Sequence, residues 1–343
     1  MSILEIRTAG ALSSIQDGGR RGYRHIGVPW AGALAPQLMR IANRLVGNNE
    51  GAPVIECFGG GLVLGVEEGS ARIALAGDAS ARLMRDGEAT TLAPWRSATL
   101  RAGDELRLLD SGRDRAVTLA VAGLECPQQL GSAATYARAR LGGLDGQPLR
   151  AGARLNAADA AGSAEMMLRK APEREDTAPV RIVAGPQDDH FDEAALALFT
   201  SSDYRITAEA DRMGMRFDGP ALGHRDAESR EIISDATVPG SIQVPGNGLP
   251  IVLLADGQTA GGYPKIATVV SADLPRLALR RPGDRVRFEL VTVSEAESLA
   301  RAAETLSRTL LAGIAPLAED GIDLEALYTG NLIGGMVNAL SPD

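Results

Sequence analysis

The sequence predicts a mainly-β chain: two β-barrel halves carrying short helices, followed by a helical C-terminal tail. Three observations carry that expectation. Apolar runs are short and punctuated by turn residues, with 40 Gly and 18 Pro among 343 residues, a pattern suited to short strands rather than long helices. Arg101-Ala-Gly-Asp-Glu-Leu-Arg-Leu108 and Arg281-Pro-Gly-Asp-Arg-Val-Arg-Phe288 repeat one turn-then-strand device, which suggests related halves. Between them lies a polar, proline-bracketed stretch ending at Pro179 with the character of a linker. The expected organisation is an N-terminal half over 1–170, a linker over 171–179, a C-terminal half over 180–292 and a helical tail over 293–343.

The chain opens on an alternating strand, Ser2 to Arg7. Leu38, Ile41, Ala42, Leu45 and Val46 then share one helical face, with Pro36 in the first turn and Gly47 after the end, so a helix is expected there. Short strands follow at 62–66, 71–76, 81–84, 97–100, 105–109 and 116–121. Past the linker, strands are expected at 180–184, 213–218, 231–234, 241–244, 251–255, 266–270 and 285–291. A short helix is expected at 192–199, with Asp188 and Asp189 capping it. Ser294 and Glu297 have capping-box spacing for a longer helix. A last amphipathic stretch runs from Leu324 to about Leu340.

Composition excludes several functions. A net charge of −9 with no basic block argues against a nucleic-acid partner. The N-terminus lacks the charged start and apolar run of a signal peptide, and no apolar run is long enough to span a bilayer, so no membrane association and a cytoplasmic location are expected. Cys57 and Cys126 stand far apart with no zinc or disulfide spacing; no metal is expected, and Cys57 reads as an inert core thiol. Walker, GxSxG, HExxH and GxGxxG patterns are absent.

Chemistry concentrates in two places. The run Leu253 to Lys265 leaves an apolar strand for a loop holding Asp256, Gln258, Thr259, Gly261, Gly262, Tyr263 and Lys265. Its glycines let backbone N–H groups approach a ligand, and polar groups on a strand-exit loop commonly bind or react. Lys265 is one of only two lysines, the other being Lys170, so its compact ammonium stands out in an arginine-rich chain. The second cluster is Gln16, Asp17, Arg20 and Tyr23 among glycines. It is either a turn with an Asp17–Arg20 ion pair or a guanidinium site for a carboxylate or phosphate. Arg212 is a third candidate, with ion pairing to Asp211 as the structural alternative.

Taken together, the stretches Ser14–Tyr23, Gly27–Pro29, Ala42–Asn48, Gly131-Ser132, Thr135-Tyr136, Gly185–Phe191, Asp211–Gly214, Gly240–Pro245, Pro250–Asp256, Thr259 and Gly261–Lys265 resemble the carboxyltransferase/allophanate-hydrolase subunit 2 family over nearly the whole chain. That family includes the C subunit of 5-oxoprolinase, the antagonist of the Kip sporulation-kinase inhibitor and the carboxyltransferase part of urea carboxylase. The resemblance implies cyclophilin-like β-barrel halves. It implies a partner, a subunit 1/B homologue (the 5-oxoprolinase B subunit), together with a separate A subunit in the 5-oxoprolinase complexes. The implied reaction there is ATP-dependent opening of the 5-oxoproline lactam to glutamate. ATP is then used by the complex, and no cofactor is expected on this chain. Two alternatives follow from the same family: carboxyl transfer to urea or a related amide, with biotin carried on another chain, and a non-enzymatic regulator that binds a Kip-type inhibitor. Lys265, Asp256 and Tyr263 are the expected catalytic residues, with Asp256 orienting Lys265 or accepting a proton. Gln16, Asp17, Arg20, Tyr23, Arg212, Gln243, Thr259, Gly261 and Gly262 are the expected substrate contacts. Ala31-Gly-Ala-Leu-Ala35 departs from the family's usual Ser-Gly-Ala-Met-Asp, losing a hydroxyl and a carboxylate.

Overall fold

The computed structural model describes residues 1–160, 164–173 and 177–317; the amphipathic stretch from Leu324 lies outside the described residues. In the first half the strands are β1 (Ser2–Ala9), β2 (Leu12–Gln16), β3 (Val54–Phe58), β4 (Leu62–Glu68), β5 (Ser70–Ala76), β6 (Ser80–Arg85), β7 (Glu88–Leu92), β8 (Ser97–Arg101), β9 (Glu105–Asp110), β10 (Ala116–Val121), β11 (Ala153–Ala157) and β12 (Met166–Leu168). They build a six-stranded sheet ordered β11-β1-β4-β9-β6-β7 and a five-stranded sheet ordered β2-β3-β10-β5-β8. Both sheets bury their inner residues in one core, Leu4, Ile6, Leu64 and Leu106 meeting Ile15, Ile55, Ile73 and Leu119. Helix α1 (Pro36–Leu45) packs Met39, Ile41, Ala42 and Leu45 against the outer face of the second sheet, on Ala74, Ala76 and Ala120.

The second half holds β13 (Val180–Ala184), α2 (Ala195–Ser201), β14 (Asp203–Ala210), β15 (Gly214–Asp218), β16 (Asp235–Ala236), β17 (Ser241–Gln243), β18 (Ile251–Leu253), β19 (Ala260–Gly261), β20 (Lys265–Val269), α3 (Leu274–Ala278) and β21 (Arg285–Leu290). Seven of the strands close a barrel in the order β13-β20-β17-β18-β15-β14-β21. Closure leaves no edge to pair with another chain. Phe199, Tyr204, Phe217 and Phe288 fill the aromatic part of its core. Helix α4 (Val293–Ala312) follows, and β22 (Ile314–Pro316) returns to pair with β12.

The repeated device is structurally the same in both halves. Asp104 Oδ2 accepts from Arg101 N at 2.8 Å, and Asp284 Oδ2 accepts from Arg281 N at 2.9 Å. Gly103 and Gly283 take φ of 93° and 96°, a region open mainly to glycine. Each turn launches a strand, β9 and β21.

Three local expectations shift. The capping box belongs to Thr292 and Glu295, two residues before the expected pair. Asp188 and Asp189 do not cap α2: they form a separate short 3-10 turn, and Asp192 Oδ1 accepts from Ala194 N at the helix start. Residues 231–234 are not a strand; Ile232 N donates to Gly262 O at 2.8 Å, and the ladder to the candidate loop is β16 with β19.

Candidate functional site

The connection from β2 to α1 crosses to the barrel half. Ala31 N donates to Ala255 O at 3.0 Å, and Leu34 is buried in the barrel core. At Gly32, φ is 87° and a Cβ would lie 2.8 Å from Asp17 O, so only glycine lets this crossing pass.

Arg212 closes the seam from the other side. Its Nε and Nη2 donate to Asp256 at 3.1 and 3.0 Å, Nη2 also reaches Gly32 O at 2.6 Å, and Nη1 donates to Glu56 Oε1. Glu56, on β3, accepts from Leu34 N at 2.8 Å with its other oxygen. All three charged side chains are buried. Burial works against the guanidinium charge, but Glu56 and Asp256 outweigh it and hold Arg212 above its ordinary pKa. Arg212 therefore ties the halves together, with every nitrogen occupied. Its ion-pair partners are Asp256 and Glu56. Asp211 instead accepts from Met213 N at 2.7 Å.

The loop after β18 presents the second cluster. Lys265 opens β20 with its side chain 3% exposed, and its Nζ donates to Asp235 Oδ2 at 2.9 Å; that carboxylate is 50% exposed. The ammonium's carboxylate partner is thus Asp235 rather than Asp256, because Asp256 faces Arg212. Gln187 bridges the pair: its Oε1 accepts from Lys265 N at 3.3 Å and its Nε2 donates to Asp235 Oδ2 at 3.2 Å. The Lys265 hydrogen bond, backed by Ala236 N and Gln187, holds the Asp235 carboxyl below the usual range. Gln243 is buried, accepting from Gln258 Nε2 at 2.9 Å and donating to Tyr263 O at 3.4 Å. A Cβ on Gly261 would lie 2.5 Å from Gln243 Nε2, so a side chain there would displace the Gln243 amide from its present place. Gly262 lies beside it, half-buried. Tyr263 is exposed and Thr259 half-buried, its carbonyl accepting from Thr237 N at 3.0 Å.

The N-terminal cluster is more internal than its sequence suggests. Gln16 is buried, accepting from Gly32 N at 3.1 Å and donating to Ser14 Oγ at 2.9 Å. Asp17 accepts from Ser132 Oγ and Ala133 N, both at 2.6 Å, and from Gly19 N at 2.8 Å. No ion pair joins it to Arg20. Arg20 is fully buried and donates to Gln129 O at 3.1 Å and to the Ala134 carbonyl. Tyr23 is half-buried, and its carbonyl accepts from Ile26 N at 3.1 Å. Arg24 spans the seam, its Nη2 reaching Thr237 O at 2.7 Å and Gln258 O at 3.0 Å.

The structure therefore separates the expected residues into an interior seam (Gln16, Asp17, Arg20, Arg212, Asp256) and a cluster around the 256–265 loop, in which Tyr263 is exposed, Thr259, Gly261 and Gly262 are half-buried, and Gln243 and Lys265 are buried. Asp235, Gln187 and Arg24 were missed. Gln187 sat inside the Gly185–Phe191 stretch, which was matched to the family as a whole while only its aspartates and His190 were weighed for a role. Asp235 had no pattern to mark it. Burial pushes the Cys57 thiol up to about 12, in keeping with an inert core residue. Among the described residues no group of three or more His, Cys, Asp or Glu side chains could hold a metal ion, and no helix is long and apolar enough to cross a membrane. Two cavities, of about 380 and about 370 Å³, lie elsewhere, one beside His224 and Arg230 and one beside Tyr204 and Arg285.

Comparison with known proteins bears on this arrangement. The family model for the carboxyltransferase domain, subdomain A and B, matches residues 26–290. The chain belongs to this family. Both the Arg212 seam and the Lys265–Asp235 pair fall inside the matched carboxyltransferase region, whereas Arg20 and Arg24 precede it. Among individual relatives, the 5-oxoprolinase C subunit of Escherichia coli is 34% identical over 302 residues, covering 86% of this chain and 93% of the relative. The protein of the same name from Haemophilus influenzae is 35% identical over 303 residues, 88% of this chain and 94% of the relative. The crystal structure of the K. lactis urea amidolyase superposes with a TM-score of 0.79 at 25% identity, over 90% of this chain but 20% of that one.

Proposed function

We propose that this chain is the C-type component of an ATP-dependent 5-oxoprolinase, working with homologues of the B and A subunits. The observation that carries this reading is the two-way coverage: relatives named as the C subunit of 5-oxoprolinase match this chain over nearly their whole length.

The chemistry fits the cluster around the 256–265 loop. A lactam is a resonance-stabilised amide, so opening it needs the carbonyl polarised and the developing oxyanion met by preorganised donors. Hydrolysis adds water across the C–N bond: the carbonyl carbon gains a hydroxyl and the nitrogen a proton, giving glutamate. Lys265 would donate from its buried ammonium to the carbonyl or oxyanion, with Asp235 fixing its direction. Tyr263 and Thr259 would add hydrogen bonds, and Gly261 and Gly262 would leave room for the substrate beside the backbone. Asp256 is committed to Arg212, so Asp235 replaces it as the carboxylate beside Lys265.

The likeness to the urea amidolyase structure favours a second reading, carboxyl transfer to urea or a related amide. Biotin would then arrive on another chain. Lys265 is buried and paired, and Lys170 lies in Arg169-Lys170-Ala171 beside Glu173, without the methionine flanks of a carrier site. Co-purification with the B and A homologues, followed by assay of glutamate formed from 5-oxoproline and ATP, separates the two. Turnover supports the first reading. An assembled complex that forms no glutamate, yet carboxylates urea when given a biotinylated carrier, establishes the second.

A further inference from the structure

Lys265 poses a problem of access. Its side chain is almost wholly buried, yet among the described residues Nζ makes one hydrogen bond, to Asp235. An ammonium carries three donors, and the chemistry above needs the others to meet a substrate. Part of the wall around Nζ must therefore move aside. Two segments outside the barrel strands reach Lys265, through Gln187 and through Asp235.

The segment of Gln187 is fixed. A Cβ on Gly185 would collide with the Lys265 carbonyl, and Gly185 N donates to Ile266 O at 2.9 Å, so the backbone there sits flush on β20. Phe191, at the far end, is buried and stacked on His224. The segment of Asp235 is different. Its ends are anchored: Ser229 is buried with its N donating to Asp226 Oδ1 at 2.7 Å. Thr237 is also buried, its N on Thr259 O at 3.0 Å and its carbonyl accepting from Arg24 Nη2 at 2.7 Å. Between them, over 230–236, every residue except the half-buried Ile232 is exposed, Ile233 by 95%. The span is held down by Ile232 N on Gly262 O, by the two-residue β16–β19 ladder and by Asp235 on Lys265 and Gln187. A segment with few buried apolar contacts and exposed backbone hydrogen bonds opens locally at low cost. An ion pair with a half-exposed partner adds little resistance.

We propose that residues 230–236 form a lid hinged at Ser229 and Thr237 and latched by Asp235 on Lys265, which opens to admit substrate to the ammonium and closes to aim it. The role in turnover rests on the 5-oxoprolinase reading; the lid itself does not. Opening carries Asp235 away from Nζ, and closing restores the carboxylate that fixes its direction.

A disulfide across the ladder tests this. Ala236 and Ala260 are exposed register partners. Thr237 N bonds Thr259 O next to them, so they form a non-hydrogen-bonded pair, with Cα atoms about 4.5 Å apart, within the reach of a disulfide. The Ala236→Cys/Ala260→Cys chain, oxidised, should hold the lid shut; each single variant controls for Cys57 and Cys126. Lys265 and Lys170 are the only lysines, and the exposed Lys170 serves as an internal reference for an amine-acylating reagent read by mass spectrometry. Oxidation should slow acylation of Lys265 at least tenfold, leave Lys170 unchanged, and be reversed by dithiothreitol. Equal labelling of Lys265 in both forms, or none in the reduced form, overturns the lid. In wild type, amides over 231–236 should exchange with deuterium far faster than those of β18 and β20; equal protection also overturns it. In the complex with the B and A homologues, the oxidised form should make glutamate from 5-oxoproline at under a tenth of the rate of its reduced form. Full turnover when oxidised overturns the gating role. Gated labelling in a complex whose reduced form makes no glutamate supports the lid and counts against the 5-oxoprolinase reading instead.

Discussion

Arg212 and Lys265 are both buried cations in the barrel half, yet their surroundings differ in kind. Arg212 meets two buried carboxylates and a carbonyl, and nothing in that cluster is open to exchange. Lys265 meets one carboxylate that is half in water, held from behind by an amide. A saturated, desolvated network fixes geometry and is costly to break. A buried ammonium with an accessible partner can pass its hydrogen bonds to a ligand. Residue type and depth are alike in the two clusters; what separates structure from chemistry is whether the partner is also buried.

The difference can be tested from either side. The largest effect should come from Arg212→Met, which strands Glu56 and Asp256 as unpaired buried carboxylates. That costs about 3–5 kcal/mol and should lower the melting temperature by roughly 10 °C, measured by calorimetry on the isolated chain. A change of only a degree or two would mean that the seam does not depend on this cluster.

A smaller, functional effect is expected at Asp235→Asn. Losing the negative partner should reduce turnover of the complex by about tenfold, while the melting temperature at neutral pH moves little, as for other half-exposed pairs. The Asp235 carboxyl sits below its ordinary value in the folded chain. Its stabilising contribution is therefore present above about pH 4 and lost as pH falls through the folded value. Melting curves between pH 5 and pH 3 should fall more steeply for wild type than for Asp235→Asn. Parallel curves would place the charge elsewhere.

The smallest effect concerns the segment joining the two clusters. Ala35 occupies the N-cap of α1 with no side-chain hydrogen bond. Ala35→Ser should stabilise the chain by about 0.5–1 kcal/mol, visible as a rise of a few degrees in melting temperature. A fall would show that the seam cannot admit a hydroxyl beside Pro36.

Much of the fold was legible because its signals are local. The Gly-Asp turns at 101–104 and 281–284 carry their own hydrogen bonds, and α1 carries an apolar face bounded by Pro36 and Gly47. Thr292-x-x-Glu295 and Ser294-x-x-Glu297 are overlapping boxes of equal sequence merit; β21 ends at Leu290, which leaves Thr292 as the residue that turns the chain into the helix. The site was legible only as a set of residues. Which carboxylate meets which cation depends on the crossing of 31–35 between the halves and on the short β16–β19 ladder, and neither leaves a periodic trace. Hence Asp256 was paired with the wrong cation, and Asp235, thirty residues from Lys265, was not seen.

The central claim is that Lys265 performs chemistry in an assembled 5-oxoprolinase rather than holding the barrel together. Its most direct test is Lys265→Met in the complex with the B and A homologues, with assembly followed by size-exclusion chromatography and glutamate formation followed under saturating ATP. The expected result is normal assembly, a melting temperature close to wild type, and turnover reduced by about a hundredfold or more. Turnover within a few-fold of wild type in a correctly assembled complex would contradict the account.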